Sequence, residues 1–340
     1  MFSKSLLTGL SCALVLMGAP PEAQGAEVVS ATFAAKGYPG SRERHYSVYV
    51  PSTYDGHTPT AMLMVLHGCK QTERDMLDQT SFNALADRDG FIVVYPFITS
   101  YDGSRSQNCW GFWFDQHIHE GAGEVEDLYQ LGREVETRFA IDPQRRYVTG
   151  LSSGGAMAVA LAVARSEYFA AAGAAAGLPY AESSWSVSSF CYFPGLFRSV
   201  AEDVDAMRRE QRASADQRVI PLMIVQSNND CTVKAAAAEH LRDAWLDRYG
   251  VAPAAFEADD CSAEGVRCTR RRYGTPDRSV VETVFYDGAS GGFFSGSGAH
   301  YWVGDGSGEF ANPTGPSASQ LFWNFFLHHR LDVPPALPSQ

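Results

Sequence analysis

The 340-residue chain has no CxxC pair, no basic excess, no internal repeat and no Pro/Ser-rich stretch that would separate two domains. The missing CxxC argues against a structural zinc site. The longest apolar run, LLTGLSCALVLMGA near the N-terminus, has about 14 residues, short of the roughly 20 that a membrane-spanning helix needs. Thirty-nine acidic against 27 basic residues give a formal charge of −12, a balance that repels nucleic acid and polyanions and favours a neutral substrate. The glycine-rich segment GASGGFFSGSGAH lacks the GxxxxGK[ST] pattern of a phosphate cradle. His117, His119 and Glu120 resemble a metal clamp, yet no third ligand cluster accompanies them. Neither metal nor cofactor is expected.

The N-terminus itself is informative. MFSKS, the apolar run and the small-residue exit PPEAQGA read as a secretory signal peptide over residues 1–25, which leaves a single domain over 26–340 with a short Pro-rich tail. Cys12 sits inside the apolar run, a poor place for lipid attachment. Loss of the leader removes Lys4 and Glu22 and leaves the charge unchanged. It also leaves an even set of cysteines, which in an exported chain favours disulfides. Cys261 and Cys268 flank a short polar loop and predict a local bridge; Cys69 with Cys109 and Cys191 with Cys231 are the expected remaining pairs.

Strand-like and helix-like segments alternate along the chain. YSVYVP from Tyr46, AMLMVLHG over 61–68, FIVVYP over 91–96, RYVTG over 146–150, VIPLMIVQ over 219–226 and VVETVFYDG over 280–288 read as strands, several of them buried on both faces. Helices are expected near 82–88, 125–139, 154–164, 235–249 and 317–329. This order implies an α/β fold, with a mainly parallel central sheet and helices on both faces.

Gly150-Leu151-Ser152-Ser153-Gly154 fits GxSxG between a strand and a helix, the context in which the serine of a tight turn projects as a nucleophile. Ser152 then needs a base and an orienting acid further along the chain. His240 lies within an expected helix, and His328 and His329 end another, where a solvated or capping role is ordinary. His300 alone follows the last strand through a loop, so it is the candidate base. Asp230, just after VIPLMIVQ, is the candidate acid; Asp259, Asp260, Asp277 and Asp287 stand in less suitable places. The backbone N–H groups of Ser153 and Cys69 are the candidate oxyanion donors, the second in the turn after MLMVLHG. Trp110, in CWGFWF, and Trp302, two residues after the base, are candidates to line an apolar substrate cleft.

LMVLHGCKQT, NCWGFWF, GAGEVEDLYQL, RYVTGLSSGGAMA with the following AAAGLPY, DCTV and the late His-x-Trp together resemble the extracellular poly(3-hydroxybutyrate) depolymerase family. That family is related to bacterial feruloyl and acetyl xylan esterases. The resemblance covers about residues 45–330 and implies an α/β-hydrolase fold with a Ser152, Asp230, His300 triad. It further implies a secreted serine esterase acting without a cofactor on a polyester or oligomeric ester, with a cell-wall feruloyl or acetyl xylan esterase as the alternative. An inactive hydrolase fold that only binds is the alternative of another class. Two features depart from the family pattern: QSNND before the acid lacks the usual glycine turn, and no separate polymer-binding domain follows the catalytic region before Gln340.

Overall fold

The structure is a computed structural model that describes residues 25–100, 105, 107–187, 195–213, 218–254, 256–275, 278–289 and 298–335. The expected leader lies outside the described residues, apart from Gly25 at its end. Twelve strands are described: β1 (Glu27–Phe33), β2 (Arg44–Val50), β3 (Thr60–Leu66), β4 (Phe91–Pro96), β5 (Ile141–Gly150), β6 (Ala171–Ala175), β7 (Leu222–Ser227), β8 (Phe256–Asp260), β9 (Cys268–Thr275), β10 (Arg278–Tyr286), β11 (Trp302–Val303) and β12 (Ala311–Asn312). The helices are α1 (Glu73–Gln79), α2 (Phe82–Asp89), α3 (Gly123–Arg138), α4 (Ser153–Ala164), α5 (Val200–Ala213), α6 (Ala235–Tyr249) and α7 (Ala318–Leu327).

Ten strands form one sheet in the order β1-β2-β4-β3-β5-β6-β7-β10-β9-β8. The six central strands, β4 to β10, are parallel, and antiparallel pairs close both margins. Alternation along β3 shows how the sheet is covered. Met62, Met64 and Leu66 enter one core with α3, α4, α5 and α6, while Ala61, Leu63 and Val65 enter the other with α1, α2 and α7. A strand buried on both faces has no polar side to show, which is why these segments read as continuous apolar runs. Helix α4, SGGAMAVALAVA, is buried on every side for the same reason.

The strand order also locates the site. From β3 the chain moves outward to β4, then returns across β3 to place β5 on its other side and continues to β6 and β7. The order therefore reverses between β3 and β5, and the loops leaving their C-terminal ends diverge to opposite faces of the sheet. Such a reversal opens a crevice at the strand ends, where open α/β sheets bind ligands. HGC leaves β3 and LSS leaves β5 at this point, with Leu66 and Gly150 paired in register.

Candidate active site

Ser152 occupies the turn between β5 and α4 with φ 57° and ψ −120°. A residue with a Cβ tolerates this conformation at a cost of about 1–3 kcal/mol, so the surroundings must impose it. They do so through Leu151 N–H to the Leu66 carbonyl at 3.1 Å and Ser152 N–H to the Ala175 carbonyl at 2.9 Å. The flanking glycines are required by space. A Cβ on Gly150 would come within 2.6 Å of the Leu66 oxygen and of the Gly154 backbone, and one on Gly154 would run into the Leu66 and His67 carbonyls.

Asp230 and His300 come together from the ends of β7 and β10. His300 Nδ1 is 2.7 Å from Asp230 Oδ2, and both side chains are buried. The other oxygen of Asp230 accepts the backbone N–H groups of Thr232 at 2.8 Å and Val233 at 2.9 Å, and Gln226 Nε2 approaches Oδ2 at 3.4 Å. The carboxylate is thus fixed from three directions. A short bridge between Asp230 and Gly298, with Ala299 N–H on the Asn229 carbonyl, lays the histidine's segment beside the acid's turn. QSNND needs no glycine to form that turn.

Ser152, Ser153, Cys69 and His300 all line one cavity of about 650 Å³. Ser153 is the first residue of α4, so its N–H has no acceptor within the helix. In the turn after β3, the Gly68 N–H is already taken by Gln71 Oε1 at 2.8 Å, and the Lys70 N–H by the Gln107 carbonyl at 2.5 Å. Cys69 lies between them, held by its disulfide to Cys109. His67 braces the turn from beneath: Nδ1 meets the Gly68 carbonyl at 2.8 Å and Nε2 accepts the Ile98 N–H at 3.2 Å. Burial holds His67 neutral, its pKa pushed down to about 4, which suits one donor and one acceptor nitrogen.

The two tryptophans expected at the cleft are elsewhere. Trp110 is fully buried against His67, donating Nε1–H to the His67 carbonyl at 3.0 Å, with its backbone N–H on Ser153 Oγ at 3.3 Å. Trp302 is fully buried too, its indole N–H on Asp305 at 2.6 Å. Neither lines the cavity, because each indole N–H has a partner inside the protein that pulls the ring inward. The apolar wall is instead built by Phe112, Trp113, Leu178, Val187 and Phe310. Trp113 stands in the same CWGFWF segment, where composition alone does not tell inward from outward rings.

The remaining candidates have other tasks. His329 is buried against Phe325, not solvated as its place after a helix suggested, whereas His328 is the C-cap of α7. His240, on α6, stacks on Phe197. Asp259 pairs with Arg272, Asp260 accepts the Ser262 N–H, and Asp287 pairs with Arg267; Asp277 lies outside the described residues. His117 is buried beside Glu124, and His119 sits between Glu210 at 2.5 Å and Asp115 at 3.0 Å. Cys261–Cys268 is bridged as expected. Cys231 is also disulfide-bonded, and its expected partner Cys191 lies outside the described residues.

A parallel sheet with its order reversed at β3, and a strained serine turn at that reversal, define an α/β-hydrolase. The acetyl xylan esterase of Aspergillus awamori has a similar fold, with a TM-score of 0.63 over 88% of this chain and 99% of that one, at 16% identity. The chain belongs to the Esterase PHB depolymerase family, whose model matches residues 44–264. It is similar to the poly(3-hydroxyalkanoate) depolymerase C of Paucimonas lemoignei, 28% identical over 72% of this chain and 57% of that protein. It is also similar to feruloyl esterase B of Thermothelomyces thermophilus, 23% identical over 74% of this chain and 81% of that protein. The match thus spans little more than half the length of the depolymerase.

Proposed function

We propose that the protein is an exported serine hydrolase of carboxylic esters, acting on poly(3-hydroxybutyrate) or its oligomers. The observation that carries this reading is the shared cavity: Ser152 and His300 line it together, and His300 is pinned to a buried Asp230. Ser152 Oγ attacks the ester carbonyl while His300 takes its proton and passes it to the departing alkoxide. Asp230 keeps the Nδ1 proton in place and stabilises the imidazolium that forms. The N–H groups of Ser153 and Cys69 receive the oxyanion, and water then repeats the sequence on the acyl-enzyme. The apolar wall and the similarity to a polyhydroxyalkanoate depolymerase support a polyester substrate. The signal-like leader and the disulfides support export.

A second reading, a feruloyl or acetyl xylan esterase, is favoured by the similarity to feruloyl esterase B. A side-by-side panel of polyester film, hydroxybutyrate oligomers, feruloyl sugars and acetylated xylan separates the two. Hydroxyacid release from film and oligomers should exceed cleavage of the plant esters, and Ser152→Ala should remove it by a factor of about 10⁴ or more. Feruloyl-sugar cleavage outpacing polyester cleavage would select the second reading, and full activity in Ser152→Ala would reject the mechanism.

A further inference from the structure

Among the described residues, the walls of the cavity are apolar or uncharged polar with one exception besides His300. Lys70 is exposed at the rim and is the only other acidic or basic side chain among the described residues that line it. Its ammonium forms no ion pair among the described residues. The backbone beneath it is firmly placed. Cys69, just before it, is bridged to Cys109, its own N–H is bonded to Gln107, and its φ is +66°, a conformation that these contacts must impose on a residue with a Cβ. A fixed Cα with a free four-carbon stem makes an adaptable point charge one residue from the proposed oxyanion donor. The molecule as a whole carries a charge of −12 and repels anions at long range. Within a Debye length, roughly 10 Å, the Lys70 cation at the cavity mouth opposes that repulsion locally.

We propose that Lys70 is a specificity-determining residue that selects esters carrying a free carboxylate, the acid end of a short hydroxyacid oligomer, over neutral esters of the same length. The proposal rests on the ester-hydrolase reading given above. It implies a division of labour in which the enzyme clears acid-ended fragments more efficiently than capped ones.

The test is kinetic, on the full chain. A 3-hydroxybutyrate dimer is supplied as its free acid and as its primary amide, beside a simple aryl ester. An exposed ion pair is worth about 0.2–1 kcal/mol, so kcat/KM for the acid should exceed that for the amide by about 1.4-fold to fivefold in the wild type. The ratio should shrink in about 1 M salt, fall to about one in Lys70→Gln and drop below one in Lys70→Glu. The same ratio in wild type and Lys70→Glu overturns the proposal while leaving the ester-hydrolase reading intact. Cleavage of the aryl ester but of neither dimer removes the oligomer reading and this proposal together. A uronic acid on acetylated xylo-oligosaccharides offers the same charge from another source. A Lys70-dependent preference seen only there would overturn the oligomer end as its target.

Discussion

Gln71 uses both ends of its amide in the site. Oε1 accepts the Gly68 N–H at 2.8 Å, and Nε2 donates to Gln79 Oε1 at 3.1 Å. The Gln79 carbonyl then accepts the Gly306 N–H at 2.9 Å, next to Asp305, which holds Trp302 two residues after His300. The turn that carries the proposed oxyanion donor is thereby tied to the segment that carries the proposed base. A Gln71→Leu variant frees the Gly68 N–H and cuts the tie at little change in volume. Losing a hydrogen bond worth about 1–2 kcal/mol at this position should lower kcat by about fivefold to thirtyfold with KM little changed. Gln71→Glu keeps the acceptor and should recover part of that loss, and equal kcat in wild type and Gln71→Leu would sink the idea. The proposed triad residues Ser152, Asp230 and His300 could be named from the sequence because each follows a strand in a fixed chain order. Gln71 and His67 were not, since nothing in HGCKQT states which side chain turns back onto its own backbone.

At the scale of elements, the first turn of α3 explains why GAGEVEDLYQL is acidic although its carboxylates are buried. Glu124 binds Arg105, Glu126 binds Arg165 and Asp127 binds Arg44, all close to a helix N-terminus that favours negative charge. Glu124 also accepts the Gly111 N–H at 2.7 Å, which holds the CWGFWF segment against the site. Asp127 collects Tyr38, Ser41 and the Arg42 N–H as well, at 2.6, 2.6 and 3.0 Å. Asp127→Asn would remove the carboxylate that neutralises the buried Arg44 cation and should cost about 3–5 kcal/mol in denaturant unfolding. Asp78→Asn, which breaks an exposed pair with Arg74, should stay within about 0.5 kcal/mol; equal losses would show that burial is not what gives Asp127 its weight. The same contrast governs what could be read in advance. The doubly buried strands β3, β4 and β7 and helix α6 were legible from apolar runs and periodicity, whereas β6, AAGAA, is buried throughout but is built of small residues without a strand signature. Strands β8 and β9 were missed because these margins carry charge, as in the CTRRRYGT of β9, with Arg270 on Glu282 and Arg272 on Asp259, and β1, EVVSATF, is a largely exposed margin strand with no long apolar run. Helix α5 was missed although Val204 and Met207 mark a buried face, and α1 although Thr72 and Asp75 form a capping box at its start.

For the molecule as a whole, two kinds of histidine set opposing limits on stability with pH. His67 and His329 are held neutral by burial, with pKa values pushed down to about 4 and about 3, and neighbouring His328 and Arg218 add to the effect at His329. An unfolded histidine takes up a proton near pH 6.5. Acidification from about 6.5 towards 4 therefore feeds protons to the unfolded chain first, so the contribution of these two residues is complete above 6.5 and is lost as pH falls. His119 has the opposite sign. Its bond to Glu210, reinforced by Asp115, raises its pKa to about 9, so its contribution is complete below 6.5 and is lost as pH rises through 9. Those contacts join the 115–120 segment to α5, with the Glu120 N–H on the same Glu210 carboxylate at 2.9 Å. The thermal midpoint should peak near neutral pH. His329→Leu, which replaces a buried imidazole whose Nε2 has no hydrogen-bond partner among the described residues, should flatten the acid limb by an amount on the order of a few kcal/mol and leave the alkaline limb in place. His119→Gln should flatten the alkaline limb and spare the acid one. Unfolding curves from pH 4 to 9.5 for the three proteins decide it: limbs that fail to separate between the two variants would show that these histidines do not set the stability window.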